Sequence, residues 1–300
     1  MSKHESSAAA GILYGVLAFG TWGLFPIYWK QLQGVDSLVI IGHRVIFSFL
    51  FLAALLAVSR RWGEVKAALS NRATLLPLLL TTVLITGNWL IFIYAVNSGR
   101  VMQGSLGYYI NPLLNVVLAR IFLGETLRPM QLLAVTLAAC SVVVLAAGLG
   151  TFPWIAFLLA GTFSVYGLLR KRVSVEPLAG LAIESALATP AAAIYLAVVA
   201  GNGGAWLGQD GFDLFLLVAS GASTALPLLW FAMAGKRLRY TTVGVLQYIS
   251  PTCQLGLAVL IYGEPFTRTH AVTFTLIAAA ATFYALDGVW ARTRAIRSFA

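Results

Sequence analysis

Three ionisable side chains stand inside long apolar runs of this 300-residue sequence: His43 and Arg44 in one run, Glu184 in another. A charge in apolar surroundings is costly, and it is kept where it binds or moves something. Arg44 either draws one charged end of a substrate, locks a gate, or snorkels towards lipid head groups. Glu184 has the same two functional options, or it hydrogen-bonds a neighbouring helix. His43 either satisfies a packed polar neighbour or relays protons. Arg44 and Glu184 carry opposite charges and lie 140 residues apart. A direct salt bridge between them is not expected. Each lies five or six residues into its run, from opposite faces, which at about 1.5 Å per residue in a core of about 30 Å leaves them some 15 Å apart in depth.

A second set of residues could hold a small amphipathic molecule. Trp22, Asn88, Trp89, Tyr94, Tyr109, Asn111, Tyr166, Trp230, Gln247 and Tyr248 are aromatic or polar-tipped and fall within apolar runs. Rings of this kind would hold an apolar side chain, while amides, hydroxyls and the imidazole would take up a zwitterion.

Two of these residues belong to a phrase written twice. Residues 109–125 read YINPLLNVVLARIFLGE and residues 248–264 read YISPTCQLGLAVLIYGE, at a constant offset of 139. Each copy carries a proline within its apolar run, Pro112 and Pro251. Proline removes a backbone donor and frees the carbonyl four residues earlier, here Tyr108 and Gln247. In lipid such a carbonyl must face protein or water, so two inward-facing kinks that serve as bending points are expected. The alternative is a packing kink with its hydroxyls satisfied by neighbouring helices.

The elements that must position these groups follow from composition. The chain is 60% hydrophobic and 10% charged, against about 25% charged for a soluble domain, so lipid is its main solvent. Ten apolar runs are long enough to cross a bilayer: 11–29, 38–58, 75–98, 101–123, 131–149, 153–169, 179–200, 213–234, 242–262 and 270–290. The first has no small-residue cleavage site and is expected to remain as a span rather than be removed as a signal peptide. Placing the N-terminus in the cytoplasm puts 16 Lys and Arg on the cytoplasmic side and three, Lys30, Arg100 and Arg268, outside. Both termini are then cytoplasmic.

Matches at nearly the same spacing extend beyond the repeated phrase. Gly20-Thr21-Trp22 matches Gly161-Thr162-Phe163 at an offset of 141, and Phe92 and Ala95 match Phe231 and Ala234 at 139. The expectation is an all-α integral membrane protein of ten helices, as two five-helix halves, 1–150 and 151–300. Five is odd, so the second half is inverted, an arrangement characteristic of secondary transporters with a central cavity between the halves.

Other classes are set aside. The net charge of +10 comes in short clusters between apolar runs with no nucleic-acid-binding motif. Cys140 and Cys253 lie within apolar runs and are expected to be packing residues rather than a disulfide or metal pair. No phosphate-binding GxxxxGK[ST] loop, HExxH or Cys/His cluster occurs, so neither catalysis nor a metal or other cofactor is expected. A Gly11–Gly15 step allows close helix contact. The oligomeric state is left open, a monomer being admissible.

Thr21-Trp22-Gly23, His43-Arg44-Val45, Gly87-Asn88-Trp89, Gly107 to Leu113, Gly124-Glu125, Gln247-Tyr248-Ile249 and Tyr262-Gly263-Glu264 resemble the paired EamA domains of the drug/metabolite transporter superfamily, and more closely its RarD group. The resemblance covers essentially the whole chain. It implies a bacterial inner-membrane exporter of small metabolites. The RarD group is associated with chloramphenicol sensitivity and the related YddG group with export of amino acids, aromatic ones included. The resemblance also implies a cavity role for Trp22, His43, Tyr109 and Tyr248. The expected substrate is an amino acid with an apolar or aromatic side chain, moved by alternating access; the alternative is a multidrug exporter of the same fold. Coupling to protons, through Glu184 or His43, and facilitated export both remain open.

Overall fold

A computed structural model describes residues 3–123, 128–149, 152–238 and 246–297. Helix α1 runs Lys3–Gln31, α2 Ser37–Val58, α3 Trp62–Leu69, α4 Arg72–Asn97, α5 Val101–Leu123 and α6 Pro129–Leu149. Then come α7 Trp154–Arg172, α8 Pro177–Gly201, α9 Gly211–Arg237, α10 Ile249–Gly256 with a π-helical turn Leu257–Ile261, and α11 Arg268–Arg297. No strand occurs among the described residues. Ala9–Gln31, Ser37–Val58, Arg72–Asn97, Pro177–Gly201 and Gly211–Phe231 are each long and apolar enough to cross a membrane. Shorter apolar helical stretches lie at Pro129–Leu145, Trp154–Arg170 and Ile249–Ile261. In lipid a helix satisfies its own backbone groups, so each apolar run that enters the bilayer must be helical.

Helix starts follow local chemistry. Asp36 accepts from the Leu38 and Val39 amides, Asn71 from Ala73, and Asp210 from Phe212 and Asp213, each carboxyl or amide oxygen capping orphan donors of a first turn. Pro177 opens α8, where a missing N–H costs nothing. The short helix α3 sits in what the sequence presents as a loop, its buried face being Val65 and Ala68.

The helices pack in matched pairs. Contacts of α1 with α9, α2 with α9 and α1 with α10 are mirrored by α7 with α4, α8 with α4 and α7 with α5. The pairs α2 with α8, α5 with α10 and α6 with α11 also touch. Glycines set the closest approaches. A Cβ on Gly107 of α5 would stand 2.8 Å from the Ala156 carbonyl oxygen of α7, and one on Gly221 of α9 would collide with the Phe47 backbone of α2. Gly11 and Gly15 let α1 close on Leu238 and Leu246.

One end of the bundle is tied by polar contacts between connections. Gln209 donates to the Gly34 carbonyl at 2.8 Å, Lys30 to that of Val96 at 3.4 Å, and Tyr195 to Asp36 at 3.3 Å. Glu264 accepts from the Val101 and Met102 amides at 2.6 and 2.9 Å, capping α5 from a distant part of the chain. Burial pushes the Glu264 carboxyl above its ordinary range, a rise that those two donors and Lys30 hold down. Gly263, at φ +64°, adopts the left-handed turn that sets the carboxylate in place. The opposite end carries Arg61, paired with Glu64 at 2.7 Å and with Glu176 at 3.6 Å, and Arg128, paired with Asp287 at 2.7 Å.

Three expectations are corrected here. Pro112 lies inside the continuous helix α5, whereas Pro251 lies in the first turn of α10, which begins at Ile249. A first-turn proline lacks only a donor that would have had no partner, and the turn at residues 247–248 precedes it, so the two prolines stand in different backbone settings. The Pro251 carbonyl, not that of Gln247, is the one that accepts an outside hydrogen bond, from Ser105 at 2.7 Å. Cys140 and Cys253 are free thiols, and Cys140 is exposed rather than packed. The repeated Gly124-Glu125 lies outside the described residues.

Two changes test this packing. Gly221→Val should lower stability by about 1–3 kcal/mol, because the new methyl groups must push α9 off α2. Glu264→Ala should cost about 1 kcal/mol through loss of the α5 cap. Both are checked by thermal unfolding in detergent, and an unchanged midpoint in either variant would refute the corresponding contact.

Candidate functional site

The two tyrosines of the repeated phrase meet. Tyr109 of α5 and Tyr248, immediately before α10, stack with centroids 5.9 Å apart, and Phe274 of α11 closes edge-on against Tyr109 at 5.8 Å. The Thr252 hydroxyl donates to the Tyr248 carbonyl at 2.7 Å, so at 2.6 Å the Tyr109 hydroxyl donates to Thr252. The Tyr248 hydroxyl is buried without a hydrogen-bond partner among the described residues. Asn111, two residues from Tyr109 and beside Pro112, is fully buried; its Oδ1 accepts from Ser164 at 2.5 Å while its Nδ2 has no partner among the described residues. Unpaired polar atoms in an apolar bundle cost free energy unless water or a ligand satisfies them.

Arg44 does not snorkel. It is 3% exposed, and its guanidinium lies over the rings of Trp89 at 4.3 Å, Trp29 at 5.0 Å and Phe25 at 6.0 Å. Its Nε donates to Thr224 of α9 at 2.9 Å. Glu184 takes the corresponding place on α8 with a different solution. Thr81 of α4 donates to it at 2.7 Å, Tyr166 at 3.2 Å, and the Arg170 Nε stands 3.7 Å away. Gly180, one turn earlier on α8, leaves room for the Arg170 guanidinium. Each charge is thus anchored by a threonine of a mirrored helix pair, Arg44 near the end bearing Glu264 and Glu184 near the end bearing Arg61. They form no ion pair with each other.

The remaining candidates separate. His43 donates from Nδ1 to the Val39 carbonyl at 3.0 Å and stacks between Phe47 and Trp206. Asn88 is saturated, donating to the Leu159 carbonyl at 3.0 Å and Thr162 at 2.9 Å and accepting from Tyr108 at 3.4 Å. Trp22 packs on Phe19 and Phe231, and its carbonyl accepts from Gln254. Trp230 and Gln247 are half-buried. Tyr94 does not reach the interior: it is 40% exposed on the flank against Trp154.

Sequence reasoning missed the partners rather than the centres. Thr252, Phe274, Ser164, Thr224, Thr81 and Arg170 come from other helices, and only the repeated spacing of Tyr109 and Tyr248 signalled a meeting across the bundle. A cavity of about 260 Å³ opens at the Glu264 end against Gly34, Asp36, Tyr195 and Gln209. A shallower hollow lies on the flank beside Leu90, Tyr94 and Trp154. Neither borders Tyr109 or Tyr248, whose rings fill the space between α5 and α10. Among the described residues no His, Cys, Asp and Glu side chains gather as a metal site.

Known proteins share this pattern over nearly the full length. The EamA-like transporter family matches residues 9–147 and again 152–286. An uncharacterized transporter of Vibrio cholerae is 43% identical over 299 residues, 99% of each chain. Protein RarD of Salmonella typhi is 44% identical over 285 residues, 95% of this chain and 97% of the relative. The chloramphenicol-sensitive protein RarD of Pseudomonas aeruginosa is 30% identical over 280 residues, 89% of this chain and 90% of the relative. A protein crystal structure at 20% identity shares the fold, with a TM-score of 0.62 over 92% of this chain and 97% of that one. Matched twice along its length and aligned almost end to end with RarD proteins, the chain belongs to the EamA-like transporter family, in the RarD-like group of the drug/metabolite transporter superfamily, and is a multi-pass membrane transporter.

Proposed function

We propose that this transporter exports small metabolites, foremost amino acids with apolar or aromatic side chains, across the bacterial inner membrane. The observation that carries the reading is the junction of Tyr109 and Tyr248, two residues at equivalent places in the repeated phrase, with the Tyr248 hydroxyl and, two residues along α5, the Asn111 Nδ2 left unpaired among the described residues. Stacked rings suit an apolar or aromatic side chain. The unpaired donors suit the oxygens of a small polar group.

Transport then proceeds by alternating access. The double match to one family and the mirrored packing support two inverted halves, 1–150 and 151–300, joined at α5 and α10. The Glu264 cap and the contacts around Gly34 and Lys30 hold one end together, and rocking of the halves would open that end as the Tyr109–Tyr248 stack separates. The distribution of Lys and Arg supports cytoplasmic termini, with the Glu264 end facing outwards. A drug-sized occupant of the same site is the alternative, prompted by the Pseudomonas relative named for chloramphenicol sensitivity.

Export runs down the substrate's own gradient. Glu184 is held by Arg170, Thr81 and Tyr166, and His43 is tied to its own helix, so each already has an internal partner. Neither stands as a free proton carrier.

Proteoliposomes preloaded with labelled amino acids test the proposal. Wild-type protein should release apolar or aromatic members of the mixture, and Tyr109→Phe and Tyr248→Phe should each slow release by about three- to tenfold, the cost of one hydrogen bond to the passing substrate. Release of none of them, with chloramphenicol released instead, would move the substrate class to drugs. Unimpaired release by both variants would remove the tyrosine junction from the site. An imposed pH gradient should leave the rate unchanged. For the ion pair, Glu184→Ala should cost about 3–5 kcal/mol of stability by stranding Arg170, and the double change Arg170→Met with Glu184→Leu should recover most of it. A pH-driven flux that the double variant loses would instead make Glu184 the coupling group.

A further inference from the structure

We infer that Arg44 is the docking point for a carboxylate, and that the molecules this transporter carries are therefore small organic acids or zwitterions rather than organic cations. Naming the anion a substrate rests on the transport reading above; the binding itself does not.

The argument begins with the planar guanidinium. Its charge cannot be lost by deprotonation, and its five N–H donors all point outwards in the plane of the group. Trp89, Trp29 and Phe25 surround its central carbon with rings, which meet the cation but accept none of its in-plane hydrogen bonds. Along the edge, Nε donates to Thr224, and Nη1 is buried with no hydrogen-bond partner among the described residues. No Asp or Glu among those residues pairs with Arg44. The charged groups at ion-pair distance elsewhere are already matched: Arg170 with Glu184, Arg61 with Glu64 and Glu176, Arg128 with Asp287. The nearest polar hydroxyls, Tyr28 and Tyr108, donate to the Leu216 carbonyl and to Asn88, so they bring no negative charge.

The comparison with Glu184 sharpens the point. Two charges occupy equivalent places on α2 and α8, each bonded to a threonine of the facing helix. The negative one is neutralised from within the chain, by Arg170. The positive one is not. A buried guanidinium with an unpaired Nη1 and no acidic partner among the described residues is chemically specific, because a carboxylate offers two oxygens in one plane to such donors. An ammonium or quaternary amine would meet like charge there.

Binding can be read on the detergent-purified full chain, without flux. Acetate, lactate and phenylacetate are each titrated beside the corresponding neutral amide, while tryptophan emission and the unfolding midpoint are recorded. Trp89 and Trp29 flank Arg44, so occupancy should change emission saturably. At least one carboxylate should bind about tenfold or more tightly than its amide, the difference expected for hydrogen bonds to a charged group. Arg44→Gln should abolish that preference. If Arg44→Gln does not fold, Arg44→Lys decides: it keeps the charge but loses the planar fork, and affinity for the acid should fall by about tenfold. The inference is overturned if no carboxylate acts, if acid and amide act alike, or if the folded Arg44 variants bind as the wild type does. Amino-acid flux failing while carboxylates still bind would sink the transport reading and leave the subsite standing.

Discussion

A charge inside an apolar helix bundle must be met by polar or aromatic groups within a few ångströms, and much of this molecule is arranged around that constraint. Two such charges exist, Arg44 and Glu184; the first draws in side chains from three other helices and the second from two. α1 and α4 give rings and α9 a hydroxyl to Arg44, while α4 and α7 give hydroxyls and a cation to Glu184. Meeting these demands fixes how α2 lies against α9 and how α8 lies against α4. Gly221 belongs to the same arrangement, letting α9 close on α2 where Thr224 meets Arg44, and Gly180 leaves the space in which Arg170 reaches Glu184.

The repeated phrase divides its work along its length. Its first residue in each copy, Tyr109 or Tyr248, goes to the junction between α5 and α10. Its last residues in the second copy, Gly263 and Glu264, turn back and cap α5. One phrase thus ties the two helices together at mid-length and at an end. The two copies are not used identically. Pro112 sits in a continuous helix while Pro251 sits in a first turn, and Asn111 reaches Ser164 while its counterpart Ser250 accepts from Gln254 on its own helix. Equal sequence spacing set the meeting point, and unequal neighbours set the local backbone.

Much of the fold was legible because lipid enforces length and self-satisfied backbone: five of the expected spans are described helices long and apolar enough to cross a membrane, while in the ninth run Gln247 and Tyr248 lie in a turn ahead of α10 and 242–245 fall outside the described residues. The expectation that Arg44 and Glu184 do not pair agrees with their separate partners, Thr224 and Arg170. Which way a side chain points was not legible. A helix apolar all round carries no polar stripe, so nothing marks its interior face. Tyr94 shows the result, an aromatic at interior depth that turns outwards to Trp154. Cys140 fails for the same reason. The aromatic cage of Arg44 was illegible for another, because Phe25, Trp29 and Trp89 are individually ordinary and become a cage only when α1 and α4 converge. The helix α3 was hidden by its length, eight residues giving too short a pattern to stand out from a loop.

The asymmetry between the two charges bears on selectivity as well as stability. A transporter that neutralised both internally would offer its cargo only rings and neutral donors, and would discriminate mainly by size and apolar area. Here the chain closes one charge upon itself through Arg170 and leaves the other buried with an unpaired Nη1 among the described residues. Discrimination is then written as a difference between two bound states: an acid completes the guanidinium's hydrogen bonds, while a cation meets an unpaired like charge. The penalty against the wrong cargo is already present in the empty protein, as the cost of keeping Arg44 buried, and the right cargo relieves it. Rings alone would admit either.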